Sequence, residues 1–346
     1  MIELQTPRGL KVQVPETPAE DPSPRFHPAE LWDIQQYYHD NGYVVVQGAV
    51  DPAACERLRG LWASEVKPSD AFIYRQATAK AERHTFNAQG WVMNPILNLQ
   101  SVDPTRYPQF RSFATERILT APNLIGTFRE LLGESPKIVQ SMYFEGNSAT
   151  WEHQDSYYLD SEQVGSMAAA WIAMEDIAAT AGRFFVCPRS HTIDMGRQTF
   201  KNNIADHHEE YIQSVVRKIR ELELPIRAPC LRRGDVLFWN AWTIHGSLDS
   251  QDAKHSRQSV TCHAIADSHR FLSLQTRLVR LKLTRINDVN VFCPKDLALA
   301  SNRAIFYIES HYPRAFYSTK RMAIRWMMRL KRNTASPGNE LLTNVR

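Results

Sequence analysis

The spacing of hydrophobic positions changes partway along the chain, from a helical part to a strand-rich part. In the first part, apolar residues recur every three or four positions, as in helices with one buried face. Prolines open two of these segments and a glycine ends the third, in agreement with helix boundaries. The predicted helices cover residues 28–40, 52–66 and 115–132. A β-branched run at residues 43–46 predicts a strand between the first two helices.

In the second part, short apolar runs alternate with turns. The predicted strands cover residues 138–144, 167–174, 183–188, 234–239 and 259–266. Strands of this length and spacing are typical of a sandwich or jelly roll. A polar insert at residues 196–224 interrupts them and is predicted to be helical.

The simplest partition is one compact domain with additions, because the sequence shows no internal repeat and no Gly/Ser-rich linker. Residues 1–27 are rich in proline and acidic residues and are predicted to form an irregular leader. The domain itself is expected to cover residues 28–270, with its core at 138–266. Residues 271–346 form a C-terminal extension.

Composition indicates a soluble globular protein, with 43% hydrophobic and 23% charged residues. The five cysteines lie far apart, are odd in number and form no C-x-x-C, so we expect reduced thiols and neither a disulfide framework nor a zinc cluster. No secretory h-region and no apolar run of roughly 18 residues is visible. These features predict a cytoplasmic protein.

The net charge of +4 hides an asymmetry. From Arg270 to the end there are 15 Lys and Arg against four Asp and Glu, whereas the preceding residues carry 26 against 33. This distribution argues against a nucleic-acid-binding core and concentrates any contact with an anionic partner in the tail.

The tail contains a predicted basic helix at residues 318–332. One face of this helix carries Arg321, Arg325, Arg329 and Arg332, and the opposite face carries Ala323, Trp326, Met327 and Leu330. Two interpretations stay open. The helix packs on the core with a solvated basic edge, which we slightly favour, or it lies on an anionic membrane or an acidic partner as a peripheral contact. The sequence does not indicate the oligomeric state.

Residues 151–158 contain the most informative short motif, an H-x-D triplet flanked by aromatic residues. In an extended strand His153 and Asp155 point the same way. An imidazole and a carboxylate are two thirds of the 2-His-1-carboxylate set that holds non-haem Fe(II) and leaves positions open. The triplet is common in proteins, and an exposed strand pair is the alternative, so the prediction depends on a second segment.

That second segment runs from residue 233 to residue 257. His245 is the best candidate among the twelve histidines for the third ligand. A 2-oxoglutarate cosubstrate also needs a cation and a hydroxyl for its far carboxylate, and Arg257 and Ser247 have this chemistry. The alternatives are a satisfied loop histidine and an arginine paired with Asp249 or Asp252.

Four segments together resemble the phytanoyl-CoA dioxygenase family of Fe(II)/2-oxoglutarate oxygenases. They are residues 151–158, 170–175, 185–191 and 233–266, and the resemblance covers roughly residues 35–270 in order. It implies a mainly β double-stranded β-helix (a jelly-roll or cupin-like core) with supporting N-terminal helices. It also implies Fe(II), 2-oxoglutarate and O2, with ascorbate as a candidate reductant.

The resemblance assigns roles to individual residues. It implies His153, Asp155 and His245 as iron ligands, and Met142, Trp171, Ser247 and Arg257 as 2-oxoglutarate contacts. Gln140 joins this second set because it shares a strand face with Met142. On composition alone, Trp171 is more typical of a core residue. Residues that flank the site in sequence are candidates for the substrate pocket, although each is more typical of packing: Trp91, Tyr157, Tyr158, Arg189 and Trp242.

Two departures from the family pattern affect the prediction. Asn98 stands where some members have a lysine that holds 2-oxoglutarate, and Arg189 replaces the glycine of a Pro-Gly-Ser-His turn. Asp155 is present, which favours hydroxylation over halogenation.

The sequence therefore predicts an Fe(II)/2-oxoglutarate-dependent hydroxylase of a small-molecule or lipid-like substrate. Two alternatives stay open: a non-catalytic jelly-roll binding module that docks through its basic tail, and a zinc-dependent cupin hydrolase. The substrate itself is not indicated, because function depends on the pocket and not on the fold.

Overall fold

A computed structural model of the protein describes residues 1–146, 149–193, 195, 207–274 and 277–334. The chain folds as two compact units, Met1–Ala298 and Leu299–Arg346. All five cysteines lie in the described part and are unpaired, in agreement with the expectation of free thiols. None of the described helices has the length and apolarity needed to cross a bilayer.

The strands of the described residues all lie in the first unit. They are β1 Ile2–Gln5, β2 Lys11–Val14, β3 Arg25–Phe26, β4 Tyr43–Val46, β5 Ile73–Tyr74, β6 Ala81–Glu82, β7 Ile96–Leu97, β8 Pro136–Phe144, β9 Thr150–His153, β10 Leu159–Ser161, β11 Ala168–Ala173, β12 Phe184–Val186, β13 Val236–Asn240, β14 His245–Ser247, β15 Ser259–Ala266, β16 Phe271–Ser273, β17 Arg277–Val279, β18 Leu283–Ile286 and β19 Val289–Phe292.

The described helices precede the β-core, interrupt it once and form the second unit. They are α1 Leu31–Asn41, α2 Pro52–Leu61, α3 Pro108–Phe113, α4 Pro122–Leu132, α5 His208–Glu221, α6 Ala300–His311 and α7 Pro313–Thr334. A π-helical segment, Trp62–Val66, extends α2 to the end of the predicted helix at residues 52–66. Helix α5 agrees with the predicted helical insert, whereas residues 194 and 196–206 lie outside the described residues.

Two sheets form the core of the first unit. The larger sheet has the order β18-β19-β8-β15-β11-β13-β4-β3, with β7 also paired to β8, and the smaller one has the order β12-β14-β9. Aromatic contacts join their facing surfaces. Phe184 of β12 lies 4.7 Å, between ring centroids, from Trp239 of β13 and 6.1 Å from Trp171 of β11. We refer to the space between these facing surfaces, which side chains of both sheets line, as the chamber.

Strand β11 consists of apolar residues alone, because both of its faces are covered. All six of its residues are buried. Ala169, Trp171 and Ala173 belong to the inner cluster between the sheets, whereas Ala170 and Ile172 belong to the cluster packed under the helices. A strand that is covered on both faces loses the apolar–polar alternation of a half-exposed strand. This is why the sequence shows short apolar runs at these positions.

The N-terminal helices cover the outer face of the larger sheet. Phe128 of α4 meets Phe238 of β13 edge to face at 5.2 Å between ring centroids. Trp62 stacks on Tyr143 of β8 at 4.4 Å. These aromatic pairs fix the helices against the sheet and leave its inner face to the chamber.

The prediction of one continuous helix at residues 115–132 is wrong. The structure has a π-helical segment, Ala114–Leu119, then a break, and then α4. Pro122 causes the break, because its ring clashes with an uninterrupted helix and its preceding residue avoids the helical region. The predicted end at Gly133 agrees with the structure, since Gly133 takes a left-handed conformation with φ 73°.

The N-terminal leader is ordered and not irregular as predicted. Strands β1 and β2 form an antiparallel hairpin, and Val12 and Val14 are buried in one cluster with Phe185 and Leu248. Val12 and Val14 alternate with exposed polar residues, so β2 has the period-two pattern of a half-buried strand. That pattern is only four residues long and lies in a proline-rich stretch.

The C-terminal boundary of the first unit also differs from the predicted boundary at residue 270. Strand β19 pairs in parallel with β8. The chain after residue 270 therefore completes the larger sheet before it leaves the unit at Ala298. The C-terminal extension, as a separate helical part, begins at Leu299.

We predict that Gly246→Ala destabilises the protein by about 2 kcal/mol, as expected for an overpacked core. A Cβ atom at Gly246 would lie 2.6 Å from the carbonyl oxygen of Thr150 and 2.7 Å from the Phe185 ring. Urea unfolding measures the difference. Gly60→Ala is the matched control, because nothing lies within 4 Å of its new Cβ atom and alanine stabilises a helix by roughly 0.5–1 kcal/mol. Equal stability of the two variants would contradict this account of β14.

Candidate active site

The pairing of β9 with β14 brings together two histidines that are far apart in sequence. His153 ends β9 and His245 begins β14, and the antiparallel register places them directly opposite each other. Their ring centroids are 4.3 Å apart. Directly opposite residues of antiparallel strands share one face of the sheet, which is here the face of the chamber.

Asp155 reaches the same point from just beyond the strand. The predicted strand through Asp155 is shorter in the structure, since β9 ends at His153 and a 3₁₀ turn, Asp155–Tyr157, follows. Gln154 is still extended, so the carboxylate returns to the histidine side. Asp155 Oδ1 lies 3.7 Å from His153 Nε2 and 3.5 Å from His245 Nε2. One ligand atom from each residue lies within 4.8 Å of the others, so the three could hold one metal ion.

Backbone carbonyls set the tautomer of both imidazoles. His153 Nδ1 lies 2.8 Å from the carbonyl oxygen of Trp151, and His245 Nδ1 lies 2.9 Å from that of Thr243. A carbonyl only accepts, so Nδ1 donates a proton to it, and Nε2 is the ring nitrogen that faces Asp155. This is how metal-binding histidines are held by the groups behind them.

Two residues that the sequence did not single out hold the other carboxylate oxygen. Trp239 Nε1 donates to Asp155 Oδ2 at 2.8 Å, and His263 Nε2 lies 3.3 Å from the same atom. Both side chains are buried and project from the larger sheet. Because Oδ2 is occupied in this way, Oδ1 is the oxygen left for a metal.

A weak sequence signal pointed to His263. It lies two residues after Thr261 in the predicted strand at residues 259–266, and period-two alternation puts both on one face. The direction of His263 was visible in this way, but its contact with Asp155 was not. For Trp239, a buried apolar run showed burial and no polar role.

The electrostatics favour an ionised Asp155. Burial by itself would raise the pKa of this carboxyl group, but the imidazoles of His245, His263 and His153 hold it well below its usual range. Trp239 adds a donor to the charged form. The site therefore presents a carboxylate and not a carboxylic acid.

Arg257 is a buried cation at the other end of the chamber. Its side chain is 2% exposed, and its guanidinium carbon lies 5.4 Å from the ring centroid of Phe144 and 5.9 Å from that of Trp171. One guanidinium nitrogen donates to the carbonyl oxygen of Gly182 at 3.1 Å, whereas Nε has no partner among the described residues. Burial lowers the pKa of Arg257 to about 9, which leaves it cationic at neutral pH.

The described residues place no carboxylate on Arg257, neither Asp249 nor Asp252. Asp252 instead lies 3.6 Å from His255. A buried charge without a counter-ion is costly unless a ligand supplies one. A path of ring contacts joins this cation to the triad, from Trp171 through Phe184 to His245.

Three of the other predicted 2-oxoglutarate contacts, Gln140, Met142 and Trp171, share the inner face of the larger sheet. Met142 and Trp171 both lie opposite Thr261 of β15, and Gln140 lies opposite His263. Ser247 is 2% exposed on β14, two residues after His245, and its hydroxyl accepts from the backbone of Thr150 at 3.0 Å. The structure thus places three of these residues on one face of the larger sheet and Ser247 in the smaller sheet, and contact of all four with 2-oxoglutarate stays a prediction.

Asn98 hydrogen-bonds to Ser141 of β8 through both its backbone and its side chain. Its backbone donates to the carbonyl oxygen of Ser141 at 2.6 Å, and its side-chain oxygen accepts from the Ser141 backbone at 3.3 Å. Ser141 lies opposite Cys262, which belongs to the outer cluster under the helices. Asn98 therefore contacts β8 on the side of the sheet that packs under the helices.

Of the predicted substrate residues, Tyr158 lies beside the triad. Its ring centroid is 5.7 Å from that of His153, and its hydroxyl is 2.7 Å from His208 Nε2. Tyr157 is buried and stacks on Tyr211 of α5 at 3.8 Å between ring centroids. Tyr158 thus flanks the candidate metal ligands, whereas Tyr157 packs under α5.

The other three have packing or surface roles in the structure. Trp242 donates to the hydroxyl of Ser156 at 3.1 Å. Arg189 is exposed in a left-handed turn with φ 67°. Trp91 donates to the carbonyl oxygen of Ala253 at 3.2 Å. Contact of these side chains with a substrate stays a prediction.

Sequence comparison agrees with this architecture. The profile of the phytanoyl-CoA dioxygenase family (PhyH) matches residues 38–258, more than half of the chain. The chain belongs to this family. Peroxisomal phytanoyl-CoA dioxygenase of Bos taurus is 24% identical over 249 residues, which cover 68% of each chain. Phytanoyl-CoA dioxygenase domain-containing protein 1 of Mus musculus is 29% identical over 163 residues. That match covers 45% of this chain and only about half (52%) of the mouse relative.

Solved structures support the fold. The non-haem alpha-ketoglutarate-dependent carbocyclase SnoK from nogalamycin biosynthesis matches with TM-score 0.50 and 16% identity, over 71% of this chain and 87% of its own. EctD from S. alaskensis, solved with 2-oxoglutarate and 5-hydroxyectoine, matches with TM-score 0.50 and 15% identity, over 81% and 94%. At such identities the likeness establishes the fold alone. The predicted jelly-roll core is confirmed.

We predict that Trp239→Phe weakens metal binding about tenfold to a hundredfold, because it frees Oδ2 of Asp155. Anaerobic calorimetric titration of metal-free protein with Fe(II) measures the affinity. Trp62→Phe is the control, since it removes an equally buried indole donor, bonded to Glu145 at 2.9 Å, away from the triad. An equal loss in both variants would mean that core damage and not the carboxylate contact controls affinity.

Proposed function

We propose that this protein is an Fe(II)- and 2-oxoglutarate-dependent oxygenase that hydroxylates an unactivated C–H bond of a small-molecule or lipid-like substrate. The observation that carries the proposal is Arg257, a buried cation in the chamber of a three-ligand metal site. A dicarboxylate cosubstrate that binds a metal at one end needs such a cation at its other end. Family membership supports the same class of reaction.

The residues present fit both absent groups. Two imidazoles with free Nε2 atoms and one carboxylate oxygen are the donor set of non-haem Fe(II) sites, so His153, Asp155 and His245 would hold the iron. The unpartnered Nε of Arg257, together with the Ser247 hydroxyl, suits the far carboxylate of 2-oxoglutarate. When bound, iron and 2-oxoglutarate would supply the oxidising chemistry with O2, and succinate and CO2 would leave as coproducts.

The protein's own contribution is position and exclusion of water. Trp239 and His263 orient Asp155 through Oδ2. Trp171 and Phe144 cover the guanidinium of Arg257 and keep it out of solvent, which strengthens its attraction for a carboxylate. The carboxylate of Asp155 also occupies the place that a halide would need, so the proposed outcome is hydroxylation.

Each of the two rival functions leaves part of the chamber unexplained, either the buried arginine or the triad. A zinc-dependent hydrolase would use the same triad but has no need for a buried, unpaired arginine. A non-catalytic binding module needs neither the converging Nε2 atoms nor the held carboxylate. Both rivals predict that 2-oxoglutarate has no effect on the metal site.

Anaerobic addition of Fe(II) and 2-oxoglutarate to metal-free protein separates the three functions. The proposal expects a visible iron–ketoacid charge-transfer band that forms only when both are present. Asp155→Ala should remove this band and turnover while leaving the unfolding transition largely unchanged. Activity that persists without 2-oxoglutarate and O2 would instead support the hydrolase.

We predict that Arg257→Ala raises the concentration of 2-oxoglutarate needed for half-saturation by roughly a hundredfold, the value of two charge-assisted hydrogen bonds. Titration of the charge-transfer band measures this without a known substrate. The exposed Arg220 on α5 provides the control, since Arg220→Ala removes the same charge from the surface. Unchanged 2-oxoglutarate affinity in Arg257→Ala would contradict the assignment.

A screen of candidate metabolites for a product heavier by one oxygen atom identifies the substrate. Acyl-CoA thioesters, small natural products, amino-acid derivatives and lipid head groups belong in that screen. Succinate release that depends on the added metabolite distinguishes a substrate from an unproductive ligand.

A further inference from the structure

We propose that helix α7, in the C-terminal unit, binds the surface of an anionic lipid membrane. This role is separate from the oxygenase chemistry of the first unit. It rests on an apolar face and an arginine face of one helix, both exposed to solvent. The side chains that carry it lie between Arg314 and Trp326.

The apolar face of α7 is exposed where its side chains are described, at Met322, Ala323 and Trp326. Trp326 is 64% exposed and Met322 is 59% exposed, and Ala323 between them is also exposed. The Tyr317 hydroxyl donates to Glu309 of α6 at 2.5 Å. Tyr317 lies about two and a half helical turns before Trp326, so the two side chains leave α7 on opposite sides. The side of α7 that meets α6 is therefore opposite the side that carries Trp326.

The arginine face lies next to this apolar face. Arg314, Arg321 and Arg325 are exposed and follow each other at intervals of seven and four residues, which aligns them along one edge. Helix α7 contains no Asp or Glu in its sequence. Among the described residues, no ion pair involves these three arginines. Their charge is thus available to an anionic partner.

Helix α6 and Tyr312, the residue that follows it, add a second exposed apolar stripe to the unit. Ile305, Ile308 and Tyr312 are about half exposed or more, at 50%, 48% and 60%, and they recur at intervals of three and four residues. Both α6 and α7 of this unit therefore expose apolar side chains to water.

An anionic bilayer fits both faces at once. Arginines beside a tryptophan and a methionine are the pattern of helices that lie in the interfacial layer, where head groups meet the arginines and acyl chains meet the apolar face. Nucleic acid would satisfy the arginines but offers no apolar layer for Trp326 and Met322. A second copy of the chain would cover the apolar face but would bring two arginine faces together.

Cosedimentation of the full chain with vesicles tests the proposal. We expect binding to phosphatidylcholine vesicles that contain phosphatidylserine, with weak binding to phosphatidylcholine alone and release at high salt. The double variant Arg321→Ala/Arg325→Ala should lower the partition coefficient roughly thirtyfold, since each arginine near an anionic surface contributes about fivefold. Trp326→Ala should also weaken binding, by removing the deepest apolar anchor.

The matched control is Arg277→Ala/Arg280→Ala, which removes the same charge from exposed positions in the first unit. Its partition coefficient should stay within about twofold of the unchanged protein, in line with a contact confined to the helix. An equal loss in both double variants would overturn the proposal, because binding would then follow net charge alone. Failure to bind phosphatidylserine vesicles would overturn it too. A dimer in light scattering that Trp326→Ala dissociates would also overturn the proposal, because the apolar face would then bind a second copy of the chain.

Discussion

The register between β9 and β14 is the constraint on which the candidate site depends. It places His153 directly across from His245, and the start of a turn then returns Asp155 to the same side. A shift of one residue would turn one of the histidines out of the chamber, because side chains alternate along a strand. Gly246 permits this register, since the backbone of β9 and the ring of Phe185 occupy the space of a side chain there.

The chamber keeps two opposite charges apart that would otherwise neutralise each other. Asp155 is a carboxylate among imidazoles, and Arg257 is a guanidinium over aromatic rings. Each is buried, and each is only partly satisfied by the protein. A metal ion would complete the first and a carboxylate would complete the second. The interval between them, lined by Trp171 and Phe184, is apolar. In the proposed function, one cosubstrate would span this interval from the metal ion to Arg257.

The two faces of the larger sheet have different roles: the outer face packs against helices, and the inner face contributes side chains to the candidate site. Its outer face packs under α4 and the neighbouring helices, as in the contact of Phe128 with Phe238. Its inner face supplies Trp239 and His263 to Asp155 and the aromatic cover of Arg257. A rigid outer contact therefore limits the movement of the groups that orient the carboxylate.

Much of this arrangement was visible in the amino-acid sequence. The H-x-D triplet, the distal His245 and Arg257 were recognisable because their residue types and order are those of a known family. Strand β15 and strand β4 have the predicted bounds, because their apolar runs end at turn residues. The split of the third helix and the hairpin of the N-terminal leader were missed. The first depends on Pro122, and the second on a period-two pattern only four residues long.

The sequence by itself determined which residues have the chemistry to hold a metal ion and a dicarboxylate, since that chemistry belongs to the side chain. Only the tertiary structure decided which of their neighbours act on them. Trp239 and His263 meet on one oxygen of Asp155 although each comes from a different strand. These contacts depend on the register of several strand pairs at once and on the distance between the two sheets. No local stretch of the chain determines either the register or the distance.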